Sequence, residues 1–345
     1  MERAHFTLSK SVILDQYDHV EKISDVVSYS SKTNPNVTPI LEENTGCFFS
    51  LHLTNELENV KDMSRVLFLA QGLDEHLLGE LFNKGIRNIA IDNEYDLKQF
   101  KKYLDTHDAH VERLFLRMKL KERSLRTEKY FVFGMESTRV NEEIRELWAT
   151  EKIASLGVHV HRKTQNIAEW NLKEDLYEYL DEDVLEILDV INIGGGLPAL
   201  YANTNQKVFK GIFRRIKEFK DLLSEKNIKL MVEPGRYIAA PAGKLRTRIM
   251  AKYENNIILN ASVYNSDMDA LIVPVKLLVE GELENGKGES YVLKGKTPCS
   301  MDLFRYKVFL DNPEIGDEIV FLNAGAYNFT TDFCNLETIE TKVVE

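Results

Sequence analysis

Four short segments of the chain carry side chains suited to chemistry. Tyr29-Ser30-Ser31-Lys32-Thr33-Asn34-Pro35-Asn36 follows an apolar run. If that run is a barrel strand, Lys32 lies at the face where barrels bind substrate; an ordinary surface lysine before an Asn-Pro turn fits the segment equally. Asn192-Ile193-Gly194-Gly195-Gly196-Leu197-Pro198 offers three glycines whose backbone N–H groups can approach an anion, as phosphate-binding loops require, although a flexible turn has the same composition. In Val232-Glu233-Pro234-Gly235-Arg236-Tyr237, Gly235 and Arg236 are placed to close such an anion site from the other side. Glu233, at a strand end, needs a partner, because burying a lone carboxylate is costly. The plainer alternative is a surface turn with an ion pair. Gly157-Val158-His159-Val160-His161-Arg162-Lys163-Thr164-Gln165 puts His159 and His161 on one side of a strand. No carboxylate or cysteine partner accompanies them for a metal, so a core or ring-stacking role is favoured.

These segments need elements to hold them. Eight short apolar runs alternate with longer polar, helix-type stretches: Val26–Ser30, Cys47–Leu51, Val66–Ala70, Ile86–Ile91, Arg113–Met118, Leu156–His161, Val190–Ile193 and Leu230–Val232. They are apolar on both faces, as buried parallel strands are. The clearest helix runs from Val208 to Leu223, with Ile212, Phe213, Ile216, Phe219 and Leu223 on one stripe. The pattern predicts an α/β protein built on a (β/α)8 barrel, with all four segments at strand ends. Tyr130–Phe133 is a ninth strand candidate. Beyond residue 245 the runs Arg248–Tyr253, Ile257–Val263, Leu271–Val279, Tyr291–Leu293 and Glu318–Leu322 are separated by turn signals such as Glu284-Asn285-Gly286, which predicts a mostly β domain. Phe6-Thr7-Leu8 and Val12-Ile13-Leu14 are expected to add a strand to it. The expected division is residues 16–244 for the barrel and 1–15 plus 245–345 for the β domain.

Composition narrows the partners. With 44 basic and 55 acidic side chains the net charge is −11, which argues against a broad nucleic-acid surface or an anionic-membrane anchor. Three separated cysteines, Cys47, Cys299 and Cys334, exclude a disulfide framework and suggest a reducing compartment. No apolar run reaches the ~18 residues of a membrane span. The N-terminus has no apolar signal-peptide core, so a cytoplasmic protein is expected.

Taken together and in order, Lys32, His161, Gly194–Gly196, Glu233–Arg236, Cys299 and Gly325-Ala326-Tyr327 resemble the motifs of the fold-type III pyridoxal-phosphate decarboxylases, the family of the ornithine, arginine and diaminopimelate decarboxylases. Thr54-Asn55-Glu56-Leu57 and Asp92-Asn93-Glu94 are smaller matches. The resemblance implies an alanine racemase-like fold, a barrel plus a β domain that completes the active site, working as a homodimer with shared sites. It implies pyridoxal 5'-phosphate as cofactor. Lys32 would be its Schiff-base lysine, Glu233 the partner of the ring nitrogen and His161 a stacking ring. Thr164, Gly194, Gly195, Gly196, Gly235, Arg236 and Tyr327 would surround the phosphate, and Arg117 matches a family arginine near the cofactor. Cys299 would return a proton to Cα.

The chain departs from the family in three places. The segment Gly295-Lys296-Thr297-Pro298-Cys299-Ser300-Met301-Asp302 shifts Cys299 against Asp302 and lacks the acidic neighbour of the family cysteine. Val263-Tyr264 matches a family pair, yet Val273 stands nine residues on, where ornithine and lysine enzymes carry an aspartate for the distal ammonium. Arg162-Lys163 replaces an apolar residue and glycine, and could meet a substrate carboxylate or phosphate; a solvated pair is the alternative. Tyr264, Asp302, Arg162 and Lys163 are therefore the candidate substrate contacts. The expected activity is decarboxylation of a modified or conjugated amino acid. The alternatives are an ordinary ornithine, lysine, arginine or diaminopimelate decarboxylase, an amino-acid racemase, and a non-catalytic binding homologue.

Overall fold

In the computed structural model, which describes residues 2–120 and 132–345, the chain divides into two compact units. One comprises Tyr17–Pro198 and Lys207–Gly235; the other comprises 1–16, Ala199–Gln206 and Arg236–Glu345. The division after Gly235 falls earlier than the expected boundary at 244, and Ala199–Gln206 also groups with the second unit.

After β1 (His5–Ser9), eight parallel strands close into a barrel: β2 (Val26–Ser30), β3 (Phe48–Leu51), β4 (Val66–Ala70), β5 (Asn88–Ile91), β6 (Arg113–Arg117), β7 (Leu156–His159), β8 (Val190–Asn192) and β9 (Lys229–Val232). Seven of the eight expected runs contain their strand, trimmed by one or two residues at some ends, and β9 begins one residue before the eighth run. The ninth candidate, Tyr130–Phe133, begins outside the described residues, and its last two residues form a turn and bend.

The barrel interior is layered. Leu67, Ala90, Phe115, Val190 and Met231 pack together as an apolar floor. Gly157 on β7 leaves the space that the Phe115 ring fills: a Cβ there would come within 2.6 Å of it. Because side chains two apart on a strand share a face, the next layer toward the strands' C-terminal ends holds Asp92, Arg117, His159, Asn192 and Glu233. Sheet register supports this reading, since Arg117 is paired with His159 and His159 with Asn192.

Amphipathic helices cover the outside. Phe209–Glu225 buries Ile212, Ile216, Phe219 and Leu223 while Phe213 stays half-buried. Among the described residues, no helix is long and apolar enough to cross a membrane.

The second unit is an eight-stranded sheet. It contains β10 (Gly243–Tyr253), β11 (Asn256–Leu259), β12 (Leu278–Val279), β13 (Glu289–Lys294), β14 (Leu303–Leu310), β15 (Glu318–Leu322) and β16 (Glu340–Val344). The order is β12-β15-β10-β11-β13-β14, with β1 antiparallel to β10 and parallel to β16. Leu245, Ile249, Ile257, Leu259, Tyr291, Leu293 and Phe321 form its core. Two expectations fail here, and two strands, β14 and β16, were not expected. Val12-Ile13-Leu14 lies in the helix Lys10–Glu21, not in a strand. The run Leu271–Val279 is split between a short helix, Asp269–Ile272, and β12, because Pro274 lacks the N–H a continuous strand would need. β14 was missed because Arg305, Tyr306 and Lys307 interrupt its apolar alternation.

Candidate active site

At the C-terminal mouth of the barrel the polar layer converges on Glu233. The backbone there is fixed by bonds between strand ends: Glu233 N donates to Gly194 O at 2.7 Å, and Ser30 N donates to Pro234 O at 3.2 Å. Glu233 is buried, and burial alone would raise its pKa. His159, with Nε2 3.5 Å from Oε2, and the Nδ2 of Asn192, which donates to Oε1 at 2.8 Å, reverse that and hold Glu233 down to about 2. Asn192 also accepts from Gly194 N at 2.8 Å, so one side chain ties the carboxylate to the glycine loop.

Lys32 sits in a single 3₁₀ turn, Ser31–Thr33, directly after β2. Its neighbours anchor the turn: Ser31 and Thr33 are buried, and the hydroxyls of Ser31 and Thr38 are 2.9 Å apart. The Lys32 side chain itself keeps accessible surface while protein surrounds it. That enclosure lowers its pKa, against the opposing pull of Glu233 and Glu56, with Arg117 adding to the lowering. Arg117 is committed to Asp92, Nη1 to Oδ1 at 2.9 Å, and its guanidinium lies 4.9 Å from the Phe133 ring centre.

His161, two residues beyond β7, also keeps an accessible face. Gly195 N donates to its Nδ1 at 3.2 Å, which requires that nitrogen to be unprotonated. The surrounding protein, His159 and Arg117 push its pKa down to about 3, so the ring is neutral. Gly195 must be glycine, because a Cβ would lie 2.8 Å from the Glu233 carbonyl oxygen. Thr164 is on the turn that follows, and Asn166 N donates to Gly196 O at 2.9 Å, fastening that turn to the glycine loop.

The two cations beside this turn are already paired. Arg162 is buried against Asp175 and lies 3.3 Å from Glu169 Oε2; Lys163 lies 3.8 Å from Glu169 Oε1. This corrects the expectation for Arg162, which Asp175 and Glu169 consume; Lys163 stays exposed, with only a loose contact to Glu169.

In the β unit, Arg236 opens the helix Arg236–Ala242 and is buried. Its guanidinium forms a fork with the Asp269 carboxylate, donates to the Tyr201 hydroxyl at 2.8 Å and lies 5.0 Å from the Tyr327 ring centre. Tyr327 adopts a left-handed backbone, φ 57°. Tyr264 stacks on Phe333 at 4.0 Å, and its hydroxyl is 3.2 Å from Cys299 Sγ. That contact lowers the thiol's pKa and raises the phenol's to about 12. Asp302 is not open to substrate. It is buried and accepts from Val263 N at 2.8 Å, Thr297 N at 3.0 Å and Thr297 Oγ1 at 2.6 Å, bracing the loop that carries Cys299.

Sequence reasoning did not assign Asn192 or Asp92 to the site and left His159 with a core or ring-stacking role. Counting in twos from the apolar floor residues along each strand would have found all three.

A family model for the pyridoxal-binding domain of pyridoxal-dependent decarboxylases matches residues 11–240. A diaminopimelate decarboxylase of Methanocaldococcus jannaschii is 26% identical over 58% of this chain and 48% of its own. The chain thus spans about half the length of that relative. A Staphylococcus aureus 2-[(L-alanin-3-ylcarbamoyl)methyl]-2-hydroxybutanedioate decarboxylase is 24% identical over 78% of this chain and 74% of its own. Among solved structures, the Vibrio vulnificus lysine/ornithine decarboxylase complexed with cadaverine superposes with a TM-score of 0.81 at 22% identity, over 99% of this chain and 94% of the other.

Proposed function

We infer the activity from one premise: the chain belongs to the pyridoxal-dependent decarboxylase family. The activity proposed is removal of the α-carboxylate of an amino acid as CO2. The observation that carries it is the ionised Glu233 beside the accessible, weakly basic Lys32 at neighbouring strand ends of the barrel. These residues suit pyridoxal phosphate: an amine, a carboxylate held charged, an accessible neutral ring and a glycine loop. When bound, the cofactor supplies a sink for the electron pair that CO2 leaves behind.

The chain's own residues then have distinct tasks. Lys32, with its proton held weakly, is free to act as a nucleophile toward the cofactor's aldehyde. Glu233 stays anionic and so favours a proton on the ring nitrogen; an arginine there, as in racemases, would disfavour it. His161 offers its neutral face for stacking. Gly194, Gly195, Gly196, Gly235 and Thr164 are assigned to the phosphate. Cys299, its thiol acidified by Tyr264, is assigned the return of a proton to Cα.

For substrate, we favour a modified or conjugated amino acid. Val273 stands where the distal aspartate of ornithine and lysine enzymes would be, and the S. aureus relative acts on a conjugate of this kind. Arg162 and Lys163 no longer contribute to that argument. CO2 release from a panel containing ornithine, lysine, arginine, diaminopimelate and amide-conjugated diamino acids tests it. Turnover of a conjugate alone is expected; fast turnover of ornithine or lysine overturns the substrate reading, and no turnover with bound cofactor favours a binding homologue. A homodimer is proposed from the family resemblance, and light scattering in solution checks it.

A further inference from the structure

His159 is the group at the barrel mouth whose bonding capacity is unspent. It is 1% exposed, and neither ring nitrogen has a hydrogen-bond partner. A buried polar ring left so costs stability, so its retention calls for a reason. Its Nε2 lies 3.5 Å from Glu233 Oε2, longer than a well-formed hydrogen bond but near enough for a small shift to make one.

The other charged groups facing Glu233 are engaged elsewhere. Arg117 of β6 pairs with Asp92, and Glu56, after β3, acts on Lys32. His161 accepts the Gly195 N–H and is neutral. Lys32 is the nucleophile. Asn192 of β8 covers Oε1 with a neutral donor. Oε2 is thus left to His159 among the described residues.

We propose that His159 is a positioning residue for Glu233, presenting Nε2–H to Oε2 so that the carboxylate stays ionised and aimed. This rests on the reading that Glu233 partners the cofactor's ring nitrogen. Removing the ring leaves Glu233 with one neutral donor in a buried site, where desolvation favours the protonated acid. The proton shared with the cofactor then moves toward the carboxylate.

The test uses the full chain with ¹³C-labelled glutamate and ¹⁵N-labelled histidine, with and without ¹⁵N-labelled pyridoxal phosphate. In the unmodified protein, His159 Nε2 is expected to carry the proton at neutral pH; a bare Nε2 overturns the proposal without recourse to any variant. In His159→Leu, the Glu233 carboxyl titration is expected to move up by about one pH unit or more. The cofactor's ring nitrogen should then move toward its unprotonated shift, and His159→Gln, which keeps a donor, should restore most of both. An unchanged Glu233 titration in His159→Leu overturns the proposal, as does a Gln variant no better than Leu. Glu233→Gln separates the two readings. If it leaves the ring nitrogen protonated, the role of Glu233 falls and this inference with it; if it removes that proton while His159→Leu changes nothing, only this inference falls.

Discussion

The barrel mouth and the β unit both bury charge, and they do so in opposite ways. In the β unit the Arg236 guanidinium is saturated: Asp269 takes both ends of the fork and Tyr201 and Tyr327 cover the rest. Arg305 is similarly spent on Leu277 O, Lys307 O and Glu282. Asp302 accepts three hydrogen bonds. At the barrel mouth, by contrast, Lys32 and His161 keep accessible surface, and His159 and the Thr33 hydroxyl are buried without partners. Groups with their bonding satisfied hold a fold together; groups with capacity left over await a ligand. Among the described charged side chains of the β unit Asp267 is an exception: fully buried, neither oxygen paired, its pKa pushed well above the usual range by burial and Asp269, and therefore carried as a neutral acid.

Substitutions can break or sharpen this contrast. The largest effect is expected from Lys32→Ala, which should remove the bound cofactor's Lys32-dependent visible absorbance and reduce CO2 release to background while leaving the thermal midpoint nearly unchanged. A spectrum unaltered by that change would erase the distinction between the two regions.

Glu233→Gln should lower kcat on the order of 10²-fold or more, as loss of a preorganised charge does, and should also alter acid stability. The folded-state pKa of Glu233, about 2, lies below its ordinary 4.5. Its contribution to stability is thus present above pH 4.5 and is lost as pH falls toward 2. Melting curves of wild type and variant should therefore converge in that window.

In the β unit the effect should be on stability first. Arg236→Met leaves Asp269 buried without its cation and should cost about 3–5 kcal/mol in urea unfolding. Asp302→Ala should cost about 2 kcal/mol or more, because it strips the acceptor from Val263 N and from two donors of Thr297, and should change the alkylation rate of Cys299. The smallest effect is assigned to Lys163→Ala. Its ion pair with Glu169 is exposed and loose, so less than about 1 kcal/mol and no change in KM is expected; a raised KM would reinstate it as a substrate contact.

Much of this was legible in the chain itself. The eight barrel strands were readable because strands buried on both faces are largely apolar and polar, helix-type stretches separate them, although Tyr130–Phe133 offered a ninth run of the same kind. The ends of those strands, with Lys32, His161 and Glu233, followed from the same register. The β unit was harder. Its strands are half-exposed, so Arg305, Tyr306 and Lys307 hid β14, and an apolar run such as Leu271–Val279 resembles a strand until Pro274 divides it.

Sequence alone determined the barrel, the order of its motifs and the membership of the family, since each depends on residue type at a given spacing. Tertiary structure decided which charges are available. Arg162 and Asp302 looked like substrate contacts in one dimension, but Asp175 and Glu169 consume the first and the 295–302 loop the second. His159 looked like core, yet strand pairing sets it beside Glu233. Whether a polar group is spent or available depends on partners tens of residues away, such as Asn192 for Glu233, and only the closed barrel brings them within bonding distance.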